Sequence, residues 1–164
     1  SSINSQPFNI YYINIRCVLA HLSELCYYLG LYAPNVVLIQ ESWLNASIEN
    51  VNVPNYKVLS RRDRSENENR GGVIAFVRSD IKCVVETLKS ESSEHVWHYL
   101  HLDIGTVAIA NWYRSPSGED AQILELDSEI AAIHEETLGV VVMGDMNIHH
   151  KKWLRYSNDN TSQG

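Results

Sequence analysis

The stretch VVVMGDMNIHH, residues 140–150, carries an apolar run directly into a carboxylate and a carboxamide. Because alternate residues of a β-strand face the same side, Asp145 and Asn147 would project together from the carboxyl end of the strand. Ligands of α/β sheets bind at that end, and the oxygens of these two side chains suit a hard cation. A simple strand-to-turn junction explains the same residues equally well, since Gly144, Asp145 and Asn147 are all common turn residues.

Three other apolar strands also end in polar residues that can bind a metal or a phosphate. These residues are Asn14 in the first strand, Gln40 and Glu41 after 36–40, and Asn111 to Tyr113 at the end of 106–113. Four endings of this kind predict one site at a shared edge of the sheet. Each has a plain structural alternative: Glu41 as a helix-capping acid, Asn14 as a turn or cap residue, and Tyr113 as a partly buried strand residue.

The pattern of apolar and polar residues along the rest of the chain predicts the strands and helices that position these residues. Apolar and β-branched runs predict strands at 8–15, 36–40, 56–60, 71–77, 95–102, 106–113 and 139–143. Apolar spacing of three to four residues predicts a helix over 17–30, stopped by Gly30, and a second helix after a turn at 114–120. The segment 61–70 is predicted to be a polar loop. The order of elements predicts one mixed α/β layered domain.

Composition narrows the functional classes. The three cysteines are odd in number and form no CxxC pair, which disfavours a disulfide framework and a cysteine-based zinc site and favours an intracellular setting. No apolar run approaches the ~20 residues that cross a bilayer, and no signal peptide is visible at the start given, so no membrane partner is expected. The net charge of −7 is unusual for a nucleic-acid binder. It does not exclude a metal-dependent phosphodiesterase, which needs carboxylates at its centre.

Four motifs, INIR, LIQES, ANWYRSPSG and VVMGDMN, occur in this order along the chain. Together they resemble the endonuclease/exonuclease/phosphatase superfamily, and YRSPSG with GDMNIHHKKW is most similar to the endonuclease domain of non-LTR retrotransposons. The resemblance implies a four-layered α/β sandwich over residues 1–164, with its C-terminal part missing. It also implies a Mg²⁺-dependent enzyme, with Mn²⁺ as a substitute, that nicks DNA for retrotransposon insertion. The parent protein would then act in the nucleus and be fused to a reverse transcriptase.

The resemblance also implies a role for each strand ending. Glu41 matches the metal-binding glutamate of the family, and Asn14 matches the asparagine that helps to place the metal. Tyr113 matches the tyrosine near the scissile phosphate. Asp145 matches the aspartate that orients or activates the attacking water, and Asn147 matches the asparagine that contacts the phosphate.

Several basic residues and histidines are candidates for contact with the substrate. They are Arg114, His149 and His150 beside the motifs, and Arg61, Arg62, Arg64 and Arg70 within 61–70. Arginine suits bidentate phosphate contact, but the acids interleaved in 61–70 fit a solvated loop, and the two histidines fit structural support beside the site. Lys151, Lys152 and Arg155 with Trp153 would suit a DNA-facing segment, although Trp153 also fits a core anchor.

One part of the family pattern is missing from these residues. The family ends in a Ser-Asp-His motif whose histidine contacts the scissile phosphate, and no Ser-Asp-His occurs in the 164 residues. We therefore expect residues 1–164 alone not to nick DNA. Two alternatives stay open, namely a phosphatase or lipid phosphodiesterase of the same superfamily and a non-catalytic remnant.

Overall fold

The computed structural model describes most of the chain between residues 8 and 145. The described ranges are 8–64, 70–81, 84–89, 95–102, 105–113, 121–134 and 137–145, with the backbone alone at 84–89, 113, 121–123, 134 and 145. Within these ranges, no helix has both the length and the apolar character needed to span a membrane.

The first sheet contains four strands from the first half of the chain. They are β1 (Ile10–Asn14), β2 (Val36–Gln40), β3 (Tyr56–Arg62) and β4 (Val73–Arg78), in the order β1-β2-β4-β3. The helix α1 (Leu22–Tyr32) connects β1 to β2, and such a crossover lets the two strands run parallel. The pairs β2–β4 and β3–β4 are antiparallel.

The second sheet repeats this plan with later residues. It contains β5 (Val84–Lys89), β6 (Val96–Leu102), β7 (Gly105–Tyr113) and β8 (Gly139–Asp145), in that order. The helix α2 (Ala121–His134) connects the parallel pair β7 and β8. The strand β5 is not among the predicted strands, because Glu86, Lys89 and the polar residues that follow them interrupt the apolar pattern of this short edge strand.

The packing of apolar residues on the two faces of each sheet defines four layers. Val37 and Ile39 of β2 pack with α1 residues, whereas Leu38 packs against the second sheet through Leu100 and Ile109. A third cluster, which includes Trp97, Trp112, Leu126 and Ile133, joins the second sheet to α2. Because β2 is buried on both faces, its sequence is continuously apolar rather than alternating. The helix–sheet–sheet–helix order confirms the predicted layered α/β sandwich.

Both predicted ends of the first helix are wrong. The backbone N–H groups of Cys17 and Val18 donate to the carbonyl oxygens of Glu41 and Ser42, at 2.9 and 3.0 Å, which extends the β1–β2 pairing past the strand. With φ at 83°, Cys17 cannot begin a right-handed helix, so α1 begins at Leu22. Gly30 lies inside α1, and a left-handed Ala33 ends the helix instead, with its N–H bonded to the Leu29 carbonyl.

Two other predicted boundaries also move. Arg61 and Arg62 belong to β3, where they pair with Ile74 and Val73, so the predicted loop at 61–70 begins later. The strand β8 extends through Gly144 to Asp145, which pairs with Tyr113. These two residues of the opening motif therefore lie in the ladder rather than in a turn.

A buried histidine joins the two sheets through their polar atoms. His98 of β6 has Nδ1 at 3.1 Å from the Ile109 carbonyl oxygen and Nε2 at 2.5 Å from Ser60 Oγ. The carbonyl can only accept, so Nδ1 carries the proton and Nε2 accepts from the Ser60 hydroxyl. Burial lowers the pKa of His98 to about 4. Burial also lowers the pKa of His95, and Glu129 opposes that change.

This histidine should make stability depend on pH. Its folded pKa of about 4 lies below the ordinary 6.5, so only the unfolded chain binds the proton between those values. The contribution of His98 to the free energy of unfolding is then fully present above pH 6.5. It decreases by roughly 3 kcal/mol as the pH falls from 6.5 to 4. Urea denaturation at several pH values measures this slope. His98→Gln should remove the His98 share of it, and an unchanged slope in that variant would contradict the assignment.

The close approach of β7 and β8 makes a second prediction. A Cβ atom at Gly144 would lie 1.7 Å from the Trp112 carbonyl oxygen, whereas a Cβ atom at Gly139 on the same strand meets nothing within 4 Å. Gly144→Ala should therefore lower the free energy of unfolding by about 1–3 kcal/mol. The matched control Gly139→Ala should stay within about 0.5 kcal/mol of the wild type. Equal urea midpoints for the two variants would show that the approach is not this tight.

Candidate active site

Two buried carboxamides connect the ends of strands from both sheets. Gln40, the last residue of β2, donates through Nε2 to Asn111 Oδ1 of β7 and, at 3.5 Å, to the Met143 carbonyl oxygen of β8. Asn111 Nδ2 lies 3.3 Å from the carbonyl oxygens of both Ile39 and Ile74. We call Gln40 and Asn111 the carboxamide bridge. It fixes β2, β4, β7 and β8 relative to one another at one edge of the sandwich.

The carboxamide bridge places four predicted site residues at the same edge. Asn14 pairs with Gln40, and Glu41 follows Gln40 directly. Tyr113 lies two residues beyond Asn111 and pairs with Asp145, which lies two residues beyond Met143. Two strand residues span about 7 Å. The backbones of Asn14, Glu41, Tyr113 and Asp145 therefore surround the bridge, and the catalytic roles of these residues stay predictions.

The backbone at Glu41 is held in an uncommon conformation. Glu41 and Trp43 have φ of 51° and 52°, in the left-handed region that residues other than glycine seldom adopt. Bonds on both flanks hold this segment. The Glu41 carbonyl accepts from Cys17 N at 2.9 Å, and Trp43 N donates to the Gly71 carbonyl at 3.0 Å. Strained backbone of this kind, at about 1–3 kcal/mol per residue, concentrates at functional sites.

A glycine pair allows the next loop to close against this segment. Ser42 N donates to the Gly72 carbonyl at 3.2 Å. Gly72 has φ of 81°, and a Cβ atom there would lie 2.8 Å from Ser42 Oγ and 3.2 Å from the Arg62 carbonyl oxygen. Neither the conformation nor the space admits a larger residue. The pair GG in RGGVIAF is therefore a structural requirement of the site edge.

Two arginines directly precede residues whose backbone bonds to the segment 41–43, namely Cys17 and Gly71. Arg16 is exposed and follows Asn14 by two residues. Arg70 precedes the glycine pair, and its guanidinium carbon lies 5.7 Å from the centre of the Trp43 ring. Arg16 is not among the predicted site residues, although the INIR motif contains it. Both arginines therefore carry positive charge on segments that are bonded to the backbone of residues 41–43.

Arg61, a predicted substrate contact, has a structural role in the fold. Its guanidinium donates to the carbonyl oxygens of Asn45 and Ile48, at 2.8 and 2.6 Å, and to both carboxylate oxygens of Asp63. Arg62 Nη1 donates to the His95 carbonyl oxygen at 3.4 Å. These bonds fasten the segment 45–48 and the start of β6. Contact of either arginine with DNA stays a prediction.

Other predicted residues lie outside the described part of the chain. They are Arg114, Asn147, His149, His150, Lys151, Lys152, Trp153 and Arg155. For Tyr113 and Asp145 the structure gives the backbone and its pairing.

Three buried polar atoms near this edge, Gln40 Oε1, Ser42 Oγ and Trp43 Nε1, have no hydrogen-bond partner within the described residues. A fourth such atom, Trp112 Nε1, lies on the α2 side of β7. Such atoms are few in native proteins and call for an explanation, such as a bound ion or water. The oxygen donors here are the half-buried Glu41 carboxylate and the amide oxygens of Asn14 and Gln40. One carboxylate with neutral oxygens fits Mg²⁺, which keeps several of its waters.

The sequence and the fold are both similar to known proteins. A sequence model described as the Endonuclease/Exonuclease/phosphatase family matches residues 8–163. No curated protein matches the sequence at a significant level. Among solved structures, the endonuclease domain of TRAS1, a telomere-specific non-LTR retrotransposon, has a TM-score of 0.64 and 16% identity. The AP endonuclease LMAP from Leishmania major has the same two values.

The aligned regions cover most of this chain and less of its structural neighbours. They cover 90% of this chain and 62% of the TRAS1 domain, and 86% of this chain and 55% of LMAP. An AP endonuclease from Archaeoglobus fulgidus has a TM-score of 0.57 and 18% identity, with 91% of this chain and 63% of that one covered. At these identities the structural likeness shows the fold.

The carboxamide bridge can be tested with a double-mutant cycle. Gln40→Met leaves Asn111 Oδ1 buried without its donor, which should cost about 1–3 kcal/mol of unfolding free energy. Asn111→Leu should cost a similar amount, because the amide of Gln40 then loses its acceptor. Replacing both should cost less than the sum, with a coupling energy of at least about 1 kcal/mol from urea denaturation. Strictly additive losses would show that the two side chains do not act as a pair.

Proposed function

Because the chain belongs to the endonuclease/exonuclease/phosphatase family, we propose that it hydrolyses phosphodiester bonds in DNA with a divalent cation at Glu41. The carboxamide bridge is the observation that carries the proposal. It brings the ends of strands from two sheets to one edge, which supports a site built from residues distant in sequence. Hydrolysis of phosphate esters needs this convergence, since charge must be stabilised on several oxygens at once.

The cation in this proposal is Mg²⁺, with Mn²⁺ as a substitute. Glu41 would hold it and Asn14 would support it, which fits the oxygen donors at the edge. When bound, such a cation neutralises charge on the phosphate and makes a bound water more acidic. Asp145 would orient or activate the attacking water. Tyr113 and Asn147 would contact the phosphate oxygens.

DNA is the proposed substrate for two reasons. Two of the similar structures are named as a retrotransposon endonuclease domain and an AP endonuclease, and another similar structure is of TDP2 with a single-strand DNA product. In addition, Arg16 and Arg70 carry positive charge on the two segments bonded to the backbone of residues 41–43, despite the net charge of −7. Positive charge at such positions attracts DNA phosphates. Nicking of target DNA for retrotransposon insertion, within a nuclear protein that also contains a reverse transcriptase, is the specific form proposed.

Cation binding and nicking must be tested separately. The aligned part of the chain spans about three fifths of the TRAS1 domain, and its 164 residues contain no Ser-Asp-His. Groups that act as a unit in catalysis fail together when one is absent. We therefore expect cation binding from residues 1–164 and nicking only from a chain extended through a downstream Ser-Asp-His motif.

Glu41→Gln keeps the shape of the side chain and removes its charge. Calorimetric titration with Mg²⁺ and with Mn²⁺ should show affinity falling at least about tenfold in this variant, since the main anionic ligand is lost. Glu49→Gln removes the same charge from an exposed position and should bind like the wild type. Unchanged affinity in Glu41→Gln would exclude Glu41 as the ligand.

The same pair of variants tests the substrate. With the extended chain, supercoiled plasmid should be nicked in Mg²⁺ by the wild type and by Glu49→Gln, but not by Glu41→Gln. Hydrolysis of a phosphoinositide or of sphingomyelin without nicking would instead support the phosphatase or lipid phosphodiesterase alternative. Cation binding without hydrolysis of any of the three substrates would support a non-catalytic remnant.

A further inference from the structure

A second cluster of potential metal ligands lies on the other face of β7, beneath α2. His95 directly precedes β6 and is fully buried, and its Nε2 lies 2.7 Å from Glu129 Oε2. Glu125 lies one helical turn before Glu129 on α2. The ligand atoms of these three residues all lie within 4.8 Å of one another. We call His95, Glu125 and Glu129 the α2 cluster.

Two indole rings hold the α2 cluster in place. The His95 ring stacks on Trp112, with 4.2 Å between ring centres and 21° between planes. Trp97 Nε1 donates to the same Glu129 oxygen at 2.7 Å. Arg62 also binds the backbone carbonyl of His95. Metal ligands are commonly oriented by such outer contacts, which reduce the cost of assembling a site.

The α2 cluster brings two carboxylates and one imidazole within reach of a single cation. Two carboxylates one turn apart repel each other, by a few tenths of a kcal/mol when solvated. A bound cation would relieve this repulsion. In a tetrahedral zinc site, with ligands at ~2.0–2.1 Å, neighbouring ligand atoms lie about 3.3 Å apart. The Nε2–Oε2 distance of 2.7 Å would then increase by about half an ångström as the metal replaced the shared proton.

We propose that His95, Glu125 and Glu129 bind a Zn²⁺ ion at a site separate from the Glu41 edge. Imidazole with carboxylates suits Zn²⁺, whereas Mg²⁺ prefers oxygen ligands alone. The two sites are on opposite faces of β7, because Asn111 points between the sheets and Trp112 points towards α2. The ion would clamp α2 to the start of β6. It would also fix Trp112, the residue between Asn111 and Tyr113.

The test uses the 164-residue chain, stripped of metal and titrated with Zn²⁺ against a chromophoric chelator. The wild type should bind one Zn²⁺ per chain with the cluster intact. Glu125→Gln should lower the affinity at least about tenfold. Asp127→Asn removes the same charge from an exposed position of the same helix and should keep the wild-type affinity. Glu129→Gln provides a second ligand variant, and circular dichroism checks that each variant is folded.

Further arms of the titration separate this proposal from the proposed function. Glu41→Gln should leave Zn²⁺ affinity unchanged while it weakens Mg²⁺ binding. With Co²⁺ as a substitute, the wild type should show the visible absorption of a low-coordinate site, and Glu125→Gln should lose it. The proposal is overturned if no Zn²⁺ binds, if Asp127→Asn weakens binding as much as Glu125→Gln, or if Glu41→Gln abolishes it. In each of those cases the α2 cluster is a hydrogen-bond network that only packs α2.

Discussion

The arrangement of the candidate site depends on one buried hydrogen-bonded pair, Gln40 and Asn111. Both side chains lie between the two sheets, and both are fully buried. A buried amide that loses its partner costs about 1–3 kcal/mol, so the pair strongly favours one relative placement of the sheets. Apolar contacts between sheets are less directional and would permit sliding. The positions of Glu41, Tyr113 and Asp145 relative to one another follow from this pair.

The alternation of β7 connects the two sites that we propose. Asn111 faces the first sheet and belongs to the carboxamide bridge, whereas Trp112 faces α2 and stacks on His95. Successive residues of a strand face opposite sides, so this short segment contacts the site edge on one face and the α2 layer on the other. The packing of α2 and the arrangement of the site edge are therefore coupled. A rigid supporting layer of this kind is what keeps catalytic groups in place.

The site edge could be predicted from the sequence because strand endings are local features. Asn14, Glu41, Tyr113 and Asp145 each follow an apolar run, and a mixed α/β order implies a common edge. The supporting residues could not be predicted in the same way. The pattern of residues 61–70 predicts a loop, but the Arg61 side chain binds the carbonyl oxygens of Asn45 and Ile48, and partners 16 and 13 positions away leave no periodic signal. The histidines in HVWHYLHL also looked like ordinary strand residues.

The sequence by itself determined the layered α/β class, the family and the polar strand endings that meet at one edge, because periodicity, turn chemistry and motifs depend on near neighbours. Tertiary structure decided where α1 begins, since the pairing of Cys17 and Val18 with Glu41 and Ser42 overrides the helical pattern. Only the packing of the two sheets brings Gln40 to Asn111, and only the packing of α2 brings Glu129 to His95. These contacts join residues 71 and 34 positions apart, and such separations cannot be inferred from local propensity.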